Sequence, residues 1–139
     1  MSGNFLDSNV FLYVFDRQDP RKRTKAQELI RDALQSGNAA ISHQVVQETL
    51  NVLTGKLKTV AGPDEARRFM DAVLVPLWRV MPSLQLYRRG IAIQGRYGFH
   101  FYDSLIVAAA LEAGCTRLLS EDLQHGQRVE TLTVENPFL

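Results

Sequence analysis

One stretch of the sequence decides the fold, and it reads Tyr102-Asp103-Ser104-Leu105-Ile106-Val107-Ala108-Ala109-Ala110-Leu111-Glu112-Ala113-Gly114. Its apolar character, broken only by Asp103, Ser104 and Glu112, predicts a helix that packs on a core. Gly114 is predicted to end that helix, because glycine takes the left-handed conformation of a helix C-terminus at little cost. Residues 117–120 then predict a strand. A helix that runs almost directly into a strand indicates an α/β chain.

The same alternation continues on both sides of this stretch. Further strands are predicted at residues 5–6, 39–42, 77–81 and 131–134. Helices are predicted at 10–15, from Asp19-Pro20 to Gly37, from Ser42 to about Lys58, from Gly62-Pro63 to Pro76, which ends or kinks the helix, and from Pro82-Ser83 to about Gly98. Short strands that alternate with helices favour a mostly parallel sheet covered by helices on both faces.

Length and composition limit the classes of protein to consider. The chain has 139 residues, enough for one domain with its own core, and its 45% hydrophobic and 22% charged residues are typical of a soluble globular protein. The net charge of +1 does not indicate a nucleic-acid binder, so such a role would depend on local clusters of charge. The lone Cys115 favours a reducing, cytoplasmic location, and no segment has the pattern of a secretion signal or a membrane span.

Acidic side chains border the apolar segments at the ends of the predicted elements. Asp7 directly follows the first strand, Asp122 follows the strand at 117–120 by two residues, and Asp103 lies in the first turn of its helix. Glu48 is predicted to border the core from its own helix. Functional groups of parallel α/β sheets gather beyond the carboxyl ends of the strands, which is where Asp7 and Asp122 would lie. Carboxylates are costly to bury unless a cation such as Mg²⁺ compensates their charge.

Each acid also has an explanation without chemistry. Asp7 is compatible with a helix cap, Asp103 with a first-turn acid stabilised by the helix dipole, Glu48 with a solvated helix residue, and Asp122 with a loop acid. The common location of all these acids at compatible ends of an alternating pattern favours a shared metal site over these separate explanations.

The whole chain resembles the PIN-domain ribonuclease family, and within it the small toxins of VapC type. The resemblance rests on the order and spacing of Leu6-Asp7-Ser8-Asn9, Glu48, Phe101-Tyr102-Asp103-Ser104-Leu105-Ile106-Val107-Ala108-Ala109-Ala110, Leu118-Leu119-Ser120-Glu121-Asp122-Leu123 and Asn136-Pro137-Phe138. It implies that residues 1–139 form a single three-layer α/β domain with a mostly parallel sheet of about five strands flanked by helices. One departure is His100, which stands where the family commonly has a small hydroxyl residue before its third motif.

The resemblance also implies a site and an activity. Asp7, Glu48, Asp103 and Asp122 would hold Mg²⁺ or Mn²⁺, with Asn9 and Ser120 supporting them; whether one or two ions bind stays open. The activity would be metal-dependent endonucleolytic cleavage of RNA by an activated water, since a metal offsets the charge of the phosphodiester and lowers the pKa of a bound water. The family's partners would be RNA and an antitoxin protein, with a homodimer and no membrane association.

Other residues and other functions are weaker candidates. His43, His100 and His125 have no spacing that indicates a zinc site, and Cys115 is predicted as a small core residue. The basic residues Arg21, Lys22, Arg23 and Lys25, and a second group of Arg88, Arg89 and Arg96, are compatible with either a solvated surface or contacts with RNA phosphates. A catalytically silent PIN-fold scaffold and an Asp-dependent phosphatase remain as alternatives. The phosphatase would require a second aspartate where Asn9 stands.

Overall fold

A twisted sheet forms the centre of the computed structural model, which describes residues 3–55 and 62–139. Within those residues the sheet has six strands in the order β3-β2-β1-β4-β6-β5. The strands are β1 (Gly3–Leu6), β2 (Ala39–Ser42), β3 (Trp78–Val80), β4 (Cys115–Leu119), β5 (Arg128–Val129) and β6 (Leu132–Glu135). All neighbours are parallel except β5, which pairs antiparallel with β6. The predicted α/β class and mostly parallel sheet are therefore confirmed.

Helices cover both faces of this sheet. They are α1 (Ser8–Leu12), α2 (Pro20–Ser36), α3 (His43–Gly55), α4 (Pro63–Phe69), α5 (Val75–Leu77), α6 (Leu84–Tyr97) and α7 (Phe101–Glu112), with a 3-10 turn at Tyr13–Phe15 and a π-helical turn at Met70–Leu74. The predicted end of the third helix near Lys58 lies outside the described residues. As predicted, Pro76 lies where its helix ends, since β3 begins at Trp78. None of the described helices combines the length and the hydropathy that crossing a membrane requires.

The order of the strands fixes where a site can form. The chain builds β2 and β3 on one side of β1, and β4, β6 and β5 on the other. Helices that follow strands on opposite sides of such a reversal diverge, which leaves a crevice at the carboxyl ends of the two central strands. Here those strands are β1 and β4, and Asp7 is the first residue after β1.

The apolar stretch quoted first forms α7, which lies between the sheet and α6. Its residues from Ser104 to Ala110 are all buried. A close contact between Gly90 of α6 and Leu105 fixes the distance between these two helices. A Cβ atom at Gly90 would lie 2.7 Å from Cδ2 of Leu105, closer than carbon atoms approach in proteins. The tight packing of α6 on α7 sets the position of the first turn of α7, which carries Asp103.

The structure adds one strand to the five that the sequence predicts. β5 has only two residues, and a turn with Glu130 at a positive φ of 55° leads from it into β6. Two residues are too few for an alternating pattern to be recognised. Two predicted helices are interrupted: the helix at 10–15 consists of the end of α1 and a 3-10 turn, and the helix from 62 to 76 consists of α4, a π-helical turn and α5. The remaining differences move element ends by one or two residues, as in β6, which runs over Leu132–Glu135 instead of the predicted 131–134.

Candidate active site

Asp7 is the buried centre of the candidate site. Its side chain is 3% exposed, and its backbone N–H donates to the carbonyl of Leu119, which locks it between β1 and β4. Oδ1 of Asp7 accepts a 2.7 Å hydrogen bond from the backbone N–H of Ser8 and so caps α1. Oδ2 accepts a 2.8 Å hydrogen bond from the Ser120 hydroxyl. Both carboxylate oxygens are therefore held in place by the protein.

Ser120 and Asn9 join Asp122 to this centre. The buried Ser120 hydroxyl donates to Asp7 and accepts from the backbone N–H of Asp122 at 3.1 Å. The Asn9 side-chain amide donates to Oδ2 of Asp122 at 3.2 Å. The Oδ1 atom of Asn9 is buried, and no residue of the described ranges gives it a hydrogen bond. The structure thus brings Asp7, Asn9, Ser120 and Asp122 into one hydrogen-bonded group.

Glu121 has a different environment from its neighbour Asp122. Its carboxylate accepts hydrogen bonds from the Tyr13 hydroxyl and from the Lys22 ammonium group, the latter at 3.3 Å. Because Glu121 is already engaged with these two donors, Asp122 is the acid of this loop that is available to the site. The sequence places both acids equally close to the end of β4, and only the structure distinguishes them.

Glu48 and Asp103 lie on helices at the other side of the crevice. Both side chains are partly buried. Gln44, one turn before Glu48 on α3, donates its amide to the Glu48 carboxylate at 3.4 Å and to the backbone carbonyl of Tyr102 at 3.1 Å. Gln44 is itself buried and therefore ties the helix of Glu48 to the first turn of α7. The sequence analysis missed Gln44, whose position one helical turn from Glu48 was the available signal.

The acids influence one another electrostatically. Burial raises the pKa of Asp7 to about 7; hydrogen bonds from Ser120 and Ser8 oppose this rise, and the charges of Asp122 and Glu48 add to it. Burial also raises the pKa of Glu48 and of Asp103, and the charge of Asp122 raises both further. Negative charges that raise one another's pKa are close enough to compete for protons or for a cation.

The carboxylates fit a hard divalent cation in chemistry. They supply only oxygen donors, which Mg²⁺ and Mn²⁺ prefer, and the buried Oδ1 of Asn9 is a further acceptor. In residues 3–55 and 62–139, however, no three His, Cys, Asp or Glu side chains stand in an arrangement that could hold a metal ion as they are.

An open apolar cavity of about 500 Å³ adjoins the acids at Asn9. Its lining comes from α1 and the segment after it, and consists of Asn9, Leu12, Tyr13, Phe15, Asp16, Arg17 and Gln18. The crevice thus continues from the carboxylates into an apolar recess.

The basic residues that the sequence analysis considered for RNA binding have several internal contacts. Arg21 donates to the backbone carbonyl of Phe138, Lys22 to Glu121 and Tyr13, and Arg23 to the carbonyl of Asp16. Lys25 is exposed on the same helix. In the second basic group, Arg89 forms a 3.1 Å ion pair with Glu130. In the first group, the charge of Lys22 is thus partly offset by Glu121, whereas Arg21 and Arg23 contact only neutral carbonyls and keep their charge.

The fold and the site define a class of protein, namely a parallel α/β domain with several carboxylates at the crevice where its strand order reverses. The sequence model of the PIN domain matches residues 5–129, and the chain belongs to that family. The sequence-based resemblance to this family is therefore confirmed. No curated protein sequence matches the chain significantly.

Solved structures with the same fold include components of toxin–antitoxin systems. A toxin–antitoxin complex from Klebsiella pneumoniae is 20% identical, with a TM-score of 0.69 over 97% of this chain and 98% of that one. DNA-bound VapBC from Salmonella typhimurium is 17% identical, with a TM-score of 0.63 over 97% and 98%. The sarcin-ricin loop cleaving toxin VapC20 from Mycobacterium tuberculosis is 18% identical, with a TM-score of 0.60 over 86% and 92%. At these identities the likeness is one of fold.

Proposed function

We propose that the protein is a divalent-metal-dependent endoribonuclease. The observation that carries this proposal is the buried carboxylate of Asp7, which is held between Ser8 and Ser120 and coupled electrostatically to Asp122 and Glu48. A structural cap would not require further acids around it, whereas a cation site would. Membership of the PIN-domain family and the fold shared with a sarcin-ricin loop cleaving toxin support the same reaction.

We assign the following roles to the residues of the site. Asp7 and Asp103 would be the central ligands of Mg²⁺ or Mn²⁺, and Glu48 and Asp122 would bind it directly or through water. The cation, when bound, would neutralise charge on the phosphodiester and lower the pKa of the attacking water. Ser120 keeps Oδ2 of Asp7 in a fixed orientation, and Asn9 does the same for Asp122. Glu48 or Asp122 would accept a proton from the attacking water.

Cleavage of RNA with and without metal is the direct test. Purified protein incubated with RNA that has unpaired loops is expected to cleave it with Mn²⁺ or Mg²⁺ and to stop when a chelator is added. Cleavage that continues in chelator, or that survives Asp103→Ala, would refute the metal mechanism. A protein that binds Mn²⁺ and RNA but cleaves nothing would instead be the catalytically silent scaffold.

We further propose that this nuclease is the toxin of a toxin–antitoxin pair and acts in the cytoplasm. Its support is the fold shared with the Klebsiella and Salmonella complexes, together with the apolar cavity beside the acids, which suits a protein segment that covers the site. Expression alone is expected to arrest growth, and co-expression with the small protein encoded next to it is expected to restore growth. Growth that is unaffected by the protein alone would contradict this role.

A homodimer is the expected assembly, and α6 offers a surface for it. Leu84, Tyr87 and Ile91 are 72%, 39% and 60% exposed and recur at helical spacing, so they form one apolar stripe. Substitution of Ile91 by Glu is expected to convert a dimer to a monomer in sedimentation experiments, because the charge would be buried at the interface. A wild-type protein that sediments as a monomer at micromolar concentration would contradict the dimer.

A further inference from the structure

Three polar side chains form a contact set next to the acids, although none of them has a part in the reaction proposed above. We call the set of Tyr13, Lys22 and Glu121 the latch. The Tyr13 hydroxyl donates to Oε1 of Glu121, while the Lys22 ammonium group donates to the Tyr13 hydroxyl at 3.1 Å and to Oε2 of Glu121 at 3.3 Å. The members come from the 3-10 turn after α1, the first turn of α2 and the loop after β4. The latch therefore joins three separate segments.

Aromatic packing gives the latch a fixed base. The ring of Tyr13 packs edge to face on Phe138, with 4.8 Å between the ring centroids, and Phe138 is only 4% exposed. The Lys22 ammonium group lies 4.7 Å from the centroid of the Tyr13 ring, within the range of a cation–π interaction. Burial, and then the hydrogen bond to Glu121, raise the pKa of Tyr13, so its hydroxyl keeps the proton that it donates.

The contacts of Glu121 with Tyr13 and Lys22 bear on the acid site because of where Glu121 lies in the chain. Glu121 stands between Ser120 and Asp122, both of which belong to the acid site. Ser120 is buried and held by Asp7, whereas Asp122 is exposed and is held through Asn9. Because Glu121 is anchored on Tyr13 and Lys22, the backbone next to Asp122 is restricted. The exposed Asp122 carboxylate can therefore take fewer orientations.

We infer that the latch is a positioning device, which holds the loop after β4 so that Asp122 faces Asp7. Tyr13, Lys22 and Glu121 would then govern the rate of RNA cleavage without touching the RNA. This inference rests on the proposed nuclease function.

Two variants each remove one polar group of the latch while they keep the packing. Tyr13→Phe loses only the hydroxyl and keeps the ring on Phe138, and Lys22→Met keeps the aliphatic stem. Each is expected to lower kcat by about tenfold, because small displacements of a catalytic group are costly, with KM for RNA and the melting temperature unchanged. Tyr97→Phe, which keeps its ring stacked on Phe99, and Arg31→Met, at an exposed position of α2, remove a hydroxyl and a cation away from the latch and are expected to leave kcat unchanged.

A double variant tests whether the members act together. If Tyr13 and Glu121 act through one contact, Tyr13→Phe combined with Glu121→Gln is expected to lower kcat no further than the stronger single variant does. Independent roles would multiply the two losses, and that result would contradict the latch.

A readout without RNA separates this inference from the nuclease proposal. The Mn²⁺ concentration that gives half of the metal-induced rise in melting temperature is expected to increase about tenfold in Tyr13→Phe, because groups behind metal ligands typically affect metal affinity to this extent. Amide hydrogen exchange at residues 120–122 is expected to become faster in the same variant.

The outcomes that would overturn the latch differ from those that would refute the nuclease. Unchanged kcat, Mn²⁺ midpoint and amide exchange in Tyr13→Phe would overturn it. A higher KM with unchanged kcat in Lys22→Met would assign Lys22 to RNA binding and would also overturn it. If the wild-type protein cleaves no RNA, the nuclease proposal fails, and the amide exchange at residues 120–122 alone then decides whether the latch exists.

Discussion

The two sides of the acid crevice are held in different ways. On the sheet side, Asp7 receives hydrogen bonds on both carboxylate oxygens, and Ser120 links it to the loop of Asp122. On the helix side, Gln44 links the two acids indirectly, since its amide donates to the Glu48 carboxylate and to the carbonyl of Tyr102, the residue before Asp103. The sheet side therefore has its geometry before any cation binds.

This difference indicates how the site would respond to a metal. Oxygens that the backbone and Ser120 already orient need little rearrangement, so most of the movement on binding is expected on the helix side. Substitutions on the two sides are therefore expected to have different effects. On the sheet side they should change the charge of a rigid group, and on the helix side they should change how closely the acids approach a bound ion.

The largest effect is expected from Asp103→Asn, which removes a charge from the helix side. RNA cleavage should fall by about a thousandfold or more, as is usual when a central catalytic group is lost. The fold should remain intact, because burial and then the charge of Asp122 raise the pKa of Asp103, so a neutral asparagine relieves an unfavourable charge. Melting curves with and without Mn²⁺ check the assignment, and a metal response equal to that of the wild type would remove Asp103 from the site.

On the sheet side, the pKa of Asp7 predicts an unusual dependence of stability on pH. The folded state keeps the proton of Asp7 up to a pKa of about 7, whereas the unfolded state loses it near 3.8. Between these values the folded state binds more protons, so the free energy of unfolding of the metal-free protein falls as pH rises, by up to about 1.4 kcal/mol per pH unit. This stabilisation is complete below pH 4 and is lost above pH 7.

Denaturant unfolding between pH 4 and 8 tests this expectation. Asp7→Asn mimics the protonated carboxyl and should flatten the curve, whereas Asp71→Asn, at an exposed position, should leave its shape as it is. An equally steep fall in Asp7→Asn would mean that other groups cause the dependence.

A substitution at Gly90 would disturb the packing of α6 on α7, the helix that carries Asp103. Gly90→Ala would place a methyl group 2.7 Å from Cδ2 of Leu105, so the buried Leu105 side chain or the helix itself must shift, at a cost of about 1–3 kcal/mol in stability. Gly95 lies on the same helix with nothing within 4 Å of an added Cβ, so Gly95→Ala should stabilise the protein by about 0.5–1 kcal/mol. Thermal unfolding of both variants checks the opposite signs, and equal effects would contradict the close contact.

The smallest effect is expected at Gln44, which links the two helices that carry Glu48 and Asp103 but is not itself one of the acids. Gln44→Met fills similar space but loses both hydrogen bonds, and cleavage should fall by about tenfold, as is typical of groups that orient ligands. Gln47→Met, at an exposed position of the same helix, is the matched control. Full activity of Gln44→Met would show that the helix side needs no internal tie.

The sequence predicted the α/β class and the mostly parallel sheet because the apolar segments have clear lengths and clear ends. Asp7 could be placed at the sheet edge for the same reason, since it directly follows a short apolar strand. Residues whose importance depends on side-chain direction could not be predicted. Glu121 and Asp122 are adjacent in the chain, and their separate environments depend on Tyr13 and Lys22, which are distant in sequence.

The contacts of Gln44 and Gly90 escaped prediction for a related reason. Gln44 matters because its amide reaches the carbonyl of Tyr102, which lies 58 positions later in the chain. In the sequence, Gly90 is an ordinary glycine within a helix, and only its distance to Leu105 shows that an added methyl group would require a neighbouring atom to shift. The roles of the acids in metal binding remain predictions.

The short outer strands of the sheet bear on the solubility of the protein. β3 has three residues and β5 has two, so each edge presents few unpaired backbone groups to another molecule. Arg79 of β3 donates its guanidinium to the carbonyls of Ala39 and Gly37 and so places a positive charge at one edge. Short and charged edge strands resist the edge-to-edge pairing that leads to amyloid-like aggregates. Extension of the sheet from one copy of the chain to the next is therefore disfavoured at both of these edges.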